Sequence, residues 1–271
     1  MRRSLALICV LVAGCSSNAE RIDALAHTAS LERVVVDLDG LNSAVYLKRG
    51  VEPSQPLLVF LEGDGNPWRA GIEPNLDPTT ADPLALELLV RTRRAGAYVS
   101  RPCYQGVGGP RCSPALWTSG RYSEEVVQTM VHAIRALMHR TGAREAIVIG
   151  YSGGGTLAVL IAERMEHVAA VVTIAANLDI DAWTTHHGYL PLSESLNPAR
   201  STREHAWREI HIAGHHDEVV PIDTTTTYFE RYPTAERWIL DEHSHACCWR
   251  KDWPRLWARI EATLGEKRHS Q

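Results

Sequence analysis

The stretch Glu145-Ala146-Ile147-Val148-Ile149-Gly150-Tyr151-Ser152-Gly153-Gly154 decides the fold. Residues 145–149 are a short apolar run closed by glycine, the pattern of a buried strand. Beyond it, Thr156-Leu157-Ala158-Val159-Leu160-Ile161-Ala162 is apolar almost all round, as a buried helix is. Between them, residues 150–154 fit G-x-S-x-G, a sharp strand-to-helix turn that lifts a serine hydroxyl above a sheet edge. Small residues are required there, because side chains beside the serine would collide with the neighbouring strand and helix.

Working outward, residues 33–38 and 44–48 around Asp39-Gly40-Leu41-Asn42 predict a hairpin. Residues 56–61 predict a buried strand running into Glu62-Gly63-Asp64-Gly65, and further strands are predicted at 96–100, 169–174, 209–213 and 237–240. Helices are predicted over 81–91, near 224–231 and over 251–264. Another starts at Ser123, a good N-cap, with Glu124 and Glu125 favourable in its first turn. Strands alternating with helices imply the α/β class, a mostly parallel central sheet with helices on both faces. In such sheets reactive groups gather at the carboxyl ends of strands.

The chain has 271 residues and a formal net charge of −4. No repeat or low-complexity linker divides it, so one large domain is expected over residues 32–271. The mild acidity gives no case for nucleic acid as a partner. Residues 1–14 read as an export signal: Met1-Arg2-Arg3 carries positive charge and an apolar run from Leu5 to Val12 follows, too short to span a bilayer. The run ends in Val12-Ala13-Gly14-Cys15, which resembles the lipobox of bacterial lipoprotein signals. That resemblance implies cleavage before Cys15 and lipidation of its sulfur. Several acyl chains together give stable anchoring where one would not. Ser16, a residue other than Asp, implies by the same resemblance the outer membrane, facing the periplasm. Residues 15–31 are expected to be a polar tether between lipid and domain.

Cys103, Cys112, Cys247 and Cys248 then remain, and in an oxidising exterior four thiols allow three pairings. Joining Cys103 to Cys112 would close a Gly-rich loop, stabilising by about 2–3 kcal/mol on a chain-entropy argument. Cys247 and Cys248 are adjacent, so they form a vicinal bridge or bond to other partners. No C-x-x-C spacing supports a metal site. The pairs His186-His187 and His215-His216 do not match zinc-protease spacing either.

A serine hydroxyl is a poor nucleophile until a base takes its proton and an acid orients that base. Asp217 follows the strand at 209–213, and His243 and His245 follow the strand at 237–240. Serine, acid and histidine therefore occur in the order of an α/β-hydrolase. Spacing alone does not separate His243 from His245, and Glu218 competes with Asp217.

The chain resembles the α/β-hydrolase fold family over its whole mature length. More narrowly, it is similar to a set of bacterial α/β-hydrolase lipoproteins carrying a Glu-Gly-Asp-Gly turn (Glu62 to Gly65) and a His-x-Cys-Cys-Trp segment (His245 to Trp249). Arg101-Pro102-Cys103, Cys112-Ser113-Pro114, Trp117-Thr118-Ser119 and Ser193 to Pro198 share in the likeness. The resemblance implies Ser152 as nucleophile, Asp217 as orienting acid and His245 as base. An oxyanion needs preset backbone donors. The resemblance implies the amide of Gly153 and that of Asp64, since Glu62-Gly63 stands where many relatives have His-Gly. Acidic side chains near an oxyanion would repel it, so Glu62 and Asp64 are expected to point away or to pair with Arg101 or Arg69. Residues 177–203 lie where relatives place a cap, and Trp183, His186, His187 and Tyr189 there either line a cleft or pack. The expectation is a serine hydrolase that cleaves a carboxylic ester or related acyl bond of a small-molecule or lipid-like substrate, without cofactor or metal. The alternatives are acyl transfer on the same fold and a non-catalytic envelope binding protein.

Overall fold

The computed structural model describes residues 16–50 and 52–266. Cys15 and residues 1–14, where an export signal is expected, lie outside the described residues. The chain starts with α1 (Asn18–Thr28), then the hairpin β1 (Glu32–Leu38) and β2 (Leu41–Lys48). Next come β3 (Leu57–Leu61), a small hairpin of β4 (Trp68–Arg69) and β5 (Glu73–Pro74), α2 (Leu84–Arg91) and β6 (Gly96–Val99). α3 (Glu124–Thr141), β7 (Ala146–Tyr151), α4 (Gly153–Ala162), β8 (Val168–Ile174) and α5 (Ile180–His187) follow. The chain continues through β9 (Arg208–Gly214), α6 (Thr226–Arg231), β10 (Glu236–Leu240) and α7 (Trp249–Glu266).

Eight strands make one sheet in the order β1-β2-β6-β3-β7-β8-β9-β10. β1, β2 and β6 meet antiparallel, and every pairing from β6 to β10 is parallel. This is the predicted mostly parallel sheet. Side-chain alternation divides its core: Leu57, Val59 and Leu61 of β3 join a cluster with α3 and α4, whereas Leu58 and Phe60 join one with α1, α2 and α7. Both faces are thereby covered, which is why β3 and β7 read as continuous apolar runs. The parallel strands send their carboxyl ends to one edge, where the turns after β3, β7, β9 and β10 converge.

Residues 16–31 are not a polar tether; most of them fold as α1. Ser17 and Glu20 form a capping box. Ala19, Ile22 and Ala26 fall on one face at helical spacing and are buried, Ile22 at 1% exposure. Asp23 accepts from Tyr46 Oη at 2.6 Å and pairs with Arg33 at 3.0 Å. The buried face is narrow, formed by Ala19, Ile22 and Ala26, so a polar composition concealed a docked helix. Among the described residues no helix is long and apolar enough to cross a membrane.

Cys103 and Cys112 are joined, with S–S 2.01 Å, and Cys247 is bonded to Cys248.

Candidate active site

The turn from β7 into α4 is built around close backbone approach. A Cβ on Gly150 would lie 2.1 Å from the Gly154 carbonyl oxygen, and one on Gly154 would lie 2.4 Å from that of Leu61. Only glycine fits either position. Ser152 between them takes φ 52° and ψ −125°, a sparsely populated conformation for a side-chain-bearing residue. Its amide donates to the Ile174 carbonyl at 2.8 Å, which ties the strained residue to β8.

The loops after β9 and β10 bring an acid and an imidazole to this hydroxyl. His245 Nε2 lies 3.1 Å from Ser152 Oγ. His245 Nδ1 lies 2.9 Å and 3.1 Å from the two oxygens of Asp217. Asp217 is buried, and its Oδ1 also accepts the amides of Val219 at 2.9 Å and Val220 at 2.7 Å. A carboxylate fixed on Nδ1 leaves Nε2 as the acceptor for the serine proton; this tautomer follows from the hydrogen-bond network. The His245 ring rests on Tyr151, with centroids 5.3 Å apart. Its carbonyl accepts from Tyr151 Oη at 3.0 Å and from Trp249 Nε1 at 2.8 Å. Both are hydrogen bonds that hold the ring's backbone in place.

His243 does not join this line. It is buried against Trp249, centroids 4.7 Å apart, and its Nε2 stands 3.2 Å from Asp252 Oδ2 without hydrogen-bond geometry. Burial lowers its pKa despite Asp252. Its carbonyl accepts the His216 amide at 3.0 Å, which couples the two loops. Glu218, the other competitor, is exposed. His215 and His216 are exposed too, and no group of three or more metal-binding side chains gathers among the described residues.

The turn after β3 lies against the serine: a Cβ on Gly63 would be 3.3 Å from Ser152 Cβ. The Gly63 amide is taken by Glu62 Oε1 at 3.3 Å. The Asp64 amide makes no hydrogen bond to a described residue, and Gly153 opens α4, where first-turn amides lack helical partners. The Asp64 carboxylate is enclosed. Arg101 and Arg121 each reach one of its oxygens at 2.7 Å, and Tyr122 Oη donates to it at 2.8 Å. Burial alone would raise this carboxyl, but the charges of Arg121 and Arg101 hold it below the usual carboxylate range. Two buried guanidiniums against one carboxylate leave this corner net positive, so the acid does not oppose an oxyanion. Arg69 plays no part here; it pairs with Glu73 across the β4–β5 hairpin. Glu62 pairs with no arginine among the described residues either. It is buried, bonds the Ala85 amide at the start of α2 at 3.0 Å, and is pushed up to about 8 by burial.

The stretches around Ser119 and Ser195 brace this corner. The Tyr122 amide donates to Ser195 Oγ at 3.1 Å, and Ser195 Oγ donates to the Ser119 carbonyl at 2.7 Å. Arg121 and Tyr122 carry no marking in the sequence beyond lying beside motifs, and Tyr151 fills the unspecified position of G-x-S-x-G. In the 177–203 segment, Trp183 Nε1 donates to the Val219 carbonyl at 2.7 Å, and His187 Nε2 meets the same oxygen at 2.9 Å. These aromatics brace the loop that carries Asp217. Tyr189 and Leu190 beyond them are exposed.

The fold and this serine, histidine and aspartate line define a serine hydrolase of the α/β-hydrolase fold. Residues 113–253 match the family model described as serine hydrolase (FSH1), and the chain belongs to that family. No curated protein sequence matches it. Among solved structures it is similar to an esterase of Pyrococcus furiosus, with TM-score 0.62 and 16% identity over 88% of this chain and 92% of that one. It is also similar to a membrane phospholipase A described as a bacterial virulence factor, with TM-score 0.58 and 14% identity over 92% and 93% of the two chains.

Proposed function

We propose that this chain is a lipid-anchored serine hydrolase of the bacterial envelope that cleaves a carboxylic ester or related acyl bond. The observation that carries the reading is the continuous line Ser152 Oγ, His245 Nε2, His245 Nδ1, Asp217. Ser152 Oγ attacks the acyl carbon as His245 Nε2 takes its proton, and Asp217 holds the imidazolium that forms. The tetrahedral oxygen is received by the amides of Gly153 and Asp64, with the arginine-backed corner behind them. His245 then gives its proton to the leaving alkoxide, leaving the acyl group on Ser152. Water, deprotonated by the same imidazole, releases the acid and restores the serine.

Two of the similar folds bear the names esterase and phospholipase A, which agrees with an ester as the bond attacked. The anchor is assigned to Cys15, on the lipobox resemblance of Val12-Ala13-Gly14-Cys15, with the outer membrane as location. A panel of ester, thioester and amide substrates of increasing acyl length tests the reaction class. Turnover of esters, abolished in Ser152→Ala, is expected. Folded protein that turns over none of the panel counts against it.

A further inference from the structure

The N-terminus of α1 sits at the same sheet edge as the serine. Asn18 Nδ2 donates to the Thr79 carbonyl at 2.8 Å, and the Thr79 hydroxyl accepts the Gln105 amide at 2.7 Å. Thr79 belongs to the excursion that leaves the Gly63–Asp64 turn and returns to it, closed by a 2.7 Å bond from the Asn66 amide to the Pro78 carbonyl. From that base projects the β4–β5 hairpin, turned by Ala70 and Gly71 at positive φ. It exposes Trp68 and Ile72, and Leu76 just after β5 is exposed as well, the last two at 79% and 94%. The hairpin's own charges, Arg69 and Glu73, neutralise each other. An apolar projection of this kind, with a tryptophan at its root, suits the headgroup region of a bilayer.

Chain connectivity supplies the occupant. Cys15 precedes the Ser17 N-cap by two residues, a chain length that spans at most roughly 7 Å. A flexible tether would leave the domain free to tumble beneath its anchor. Here the capping box and the buried Ile22 and Ala26 fix α1 to the domain almost up to the acylated residue. We propose that the β4–β5 hairpin docks on the bilayer that holds the Cys15 anchor. Trp68, Ile72 and Leu76 lie in the boundary between headgroups and acyl chains, and the sheet edge bearing Ser152 faces that membrane. The inference rests on the lipid-anchor reading and commits to a lipid surface rather than a protein.

The test uses the full-length acylated protein in phosphatidylethanolamine and phosphatidylglycerol vesicles, with a nitroxide at Ile72→Cys or Ser54→Cys. Ser54 is exposed in the connection before β3, at the opposite sheet edge. The ratio of oxygen to nickel-chelate accessibility is expected to be several-fold higher at residue 72 than at 54. Equal, aqueous ratios at both positions overturn the docking. Mass spectrometry of the N-terminal peptide separates the two readings: an acylated Cys15 with an aqueous hairpin overturns the orientation alone. An unmodified Cys15 overturns the anchor and the docking together. Neither readout depends on turnover, so the serine mechanism is judged separately.

Discussion

Asp64 occupies the space that a side chain on Gly153 would fill: a Cβ there would stand 2.0 Å from Asp64 Oδ1 and 2.5 Å from Tyr122 Oη. The glycine that follows Ser152 is therefore dictated by the arginine-held carboxylate of the neighbouring loop. The loop after β3 and the turn after β7 are fitted to each other through that one contact.

Gly153→Ala must displace Asp64 or the amides beside it. Loss of one oxyanion donor costs about 10²–10³ in kcat. Stopped-time assays on an ester substrate should show a fall of that order with KM little changed. An unaltered kcat would mean the corner is not coupled to the reaction.

Asp64→Asn removes the counter-charge from Arg101 and Arg121, both of which are buried. Breaking a buried ion pair in this way costs on the order of 3–5 kcal/mol. Urea denaturation should show a loss of that size, accompanied by a drop in kcat.

The two histidines of the last loop should separate cleanly. His245→Ala removes the base and lowers kcat by about 10⁴–10⁶. His243→Ala leaves kcat nearly unchanged but opens space under Trp249, lowering stability by about 1–3 kcal/mol. Parallel kinetics and thermal melts distinguish these outcomes, and full activity in the His245 variant would overturn the assignment.

A second buried network predicts the pH dependence of stability. His205 contacts Glu209 and, at 3.5 Å, Glu163, while Glu209 also meets His211 at 2.9 Å and accepts from Tyr228 Oη at 2.8 Å. Burial disfavours the charge on His205, but hydrogen bonds to Glu163 and Glu209 raise it to about 9. Burial likewise opposes ionised Glu209, and its bonds to His205 and His211 bring it down to about 2. The stability from raised His205 is complete below about pH 6.5 and lost as pH climbs through 9. That from depressed Glu209 is complete above about pH 4.5 and lost as pH falls through 2. Unfolding free energy measured from pH 5 to 10 should decline toward the alkaline end, and His205→Gln should flatten that decline.

Local pattern carried much of this. The apolar runs of β3 and β7, the glycines of the turn and the order of Ser152, Asp217 and His245 are one-dimensional signals, and they mark the sheet and its reactive edge. What escaped depends on distance in space. Residues 18–28 look polar because α1 buries only a thin stripe, Ala19, Ile22 and Ala26. Arg121 and Tyr122 meet Asp64 across more than fifty residues of chain, so nothing near them announces the contact. The choice between His243 and His245 turned on which one the loop after β10 folds inward against Trp249. Spacing holds no such information.

The most direct measurement is labelling with a fluorophosphonate, read by intact mass and peptide mapping. A single adduct on Ser152 is predicted for the wild-type chain, absent from Ser152→Ala and formed far more slowly by His245→Ala. A correctly folded wild-type protein that takes up no label, or is labelled elsewhere, would contradict the account.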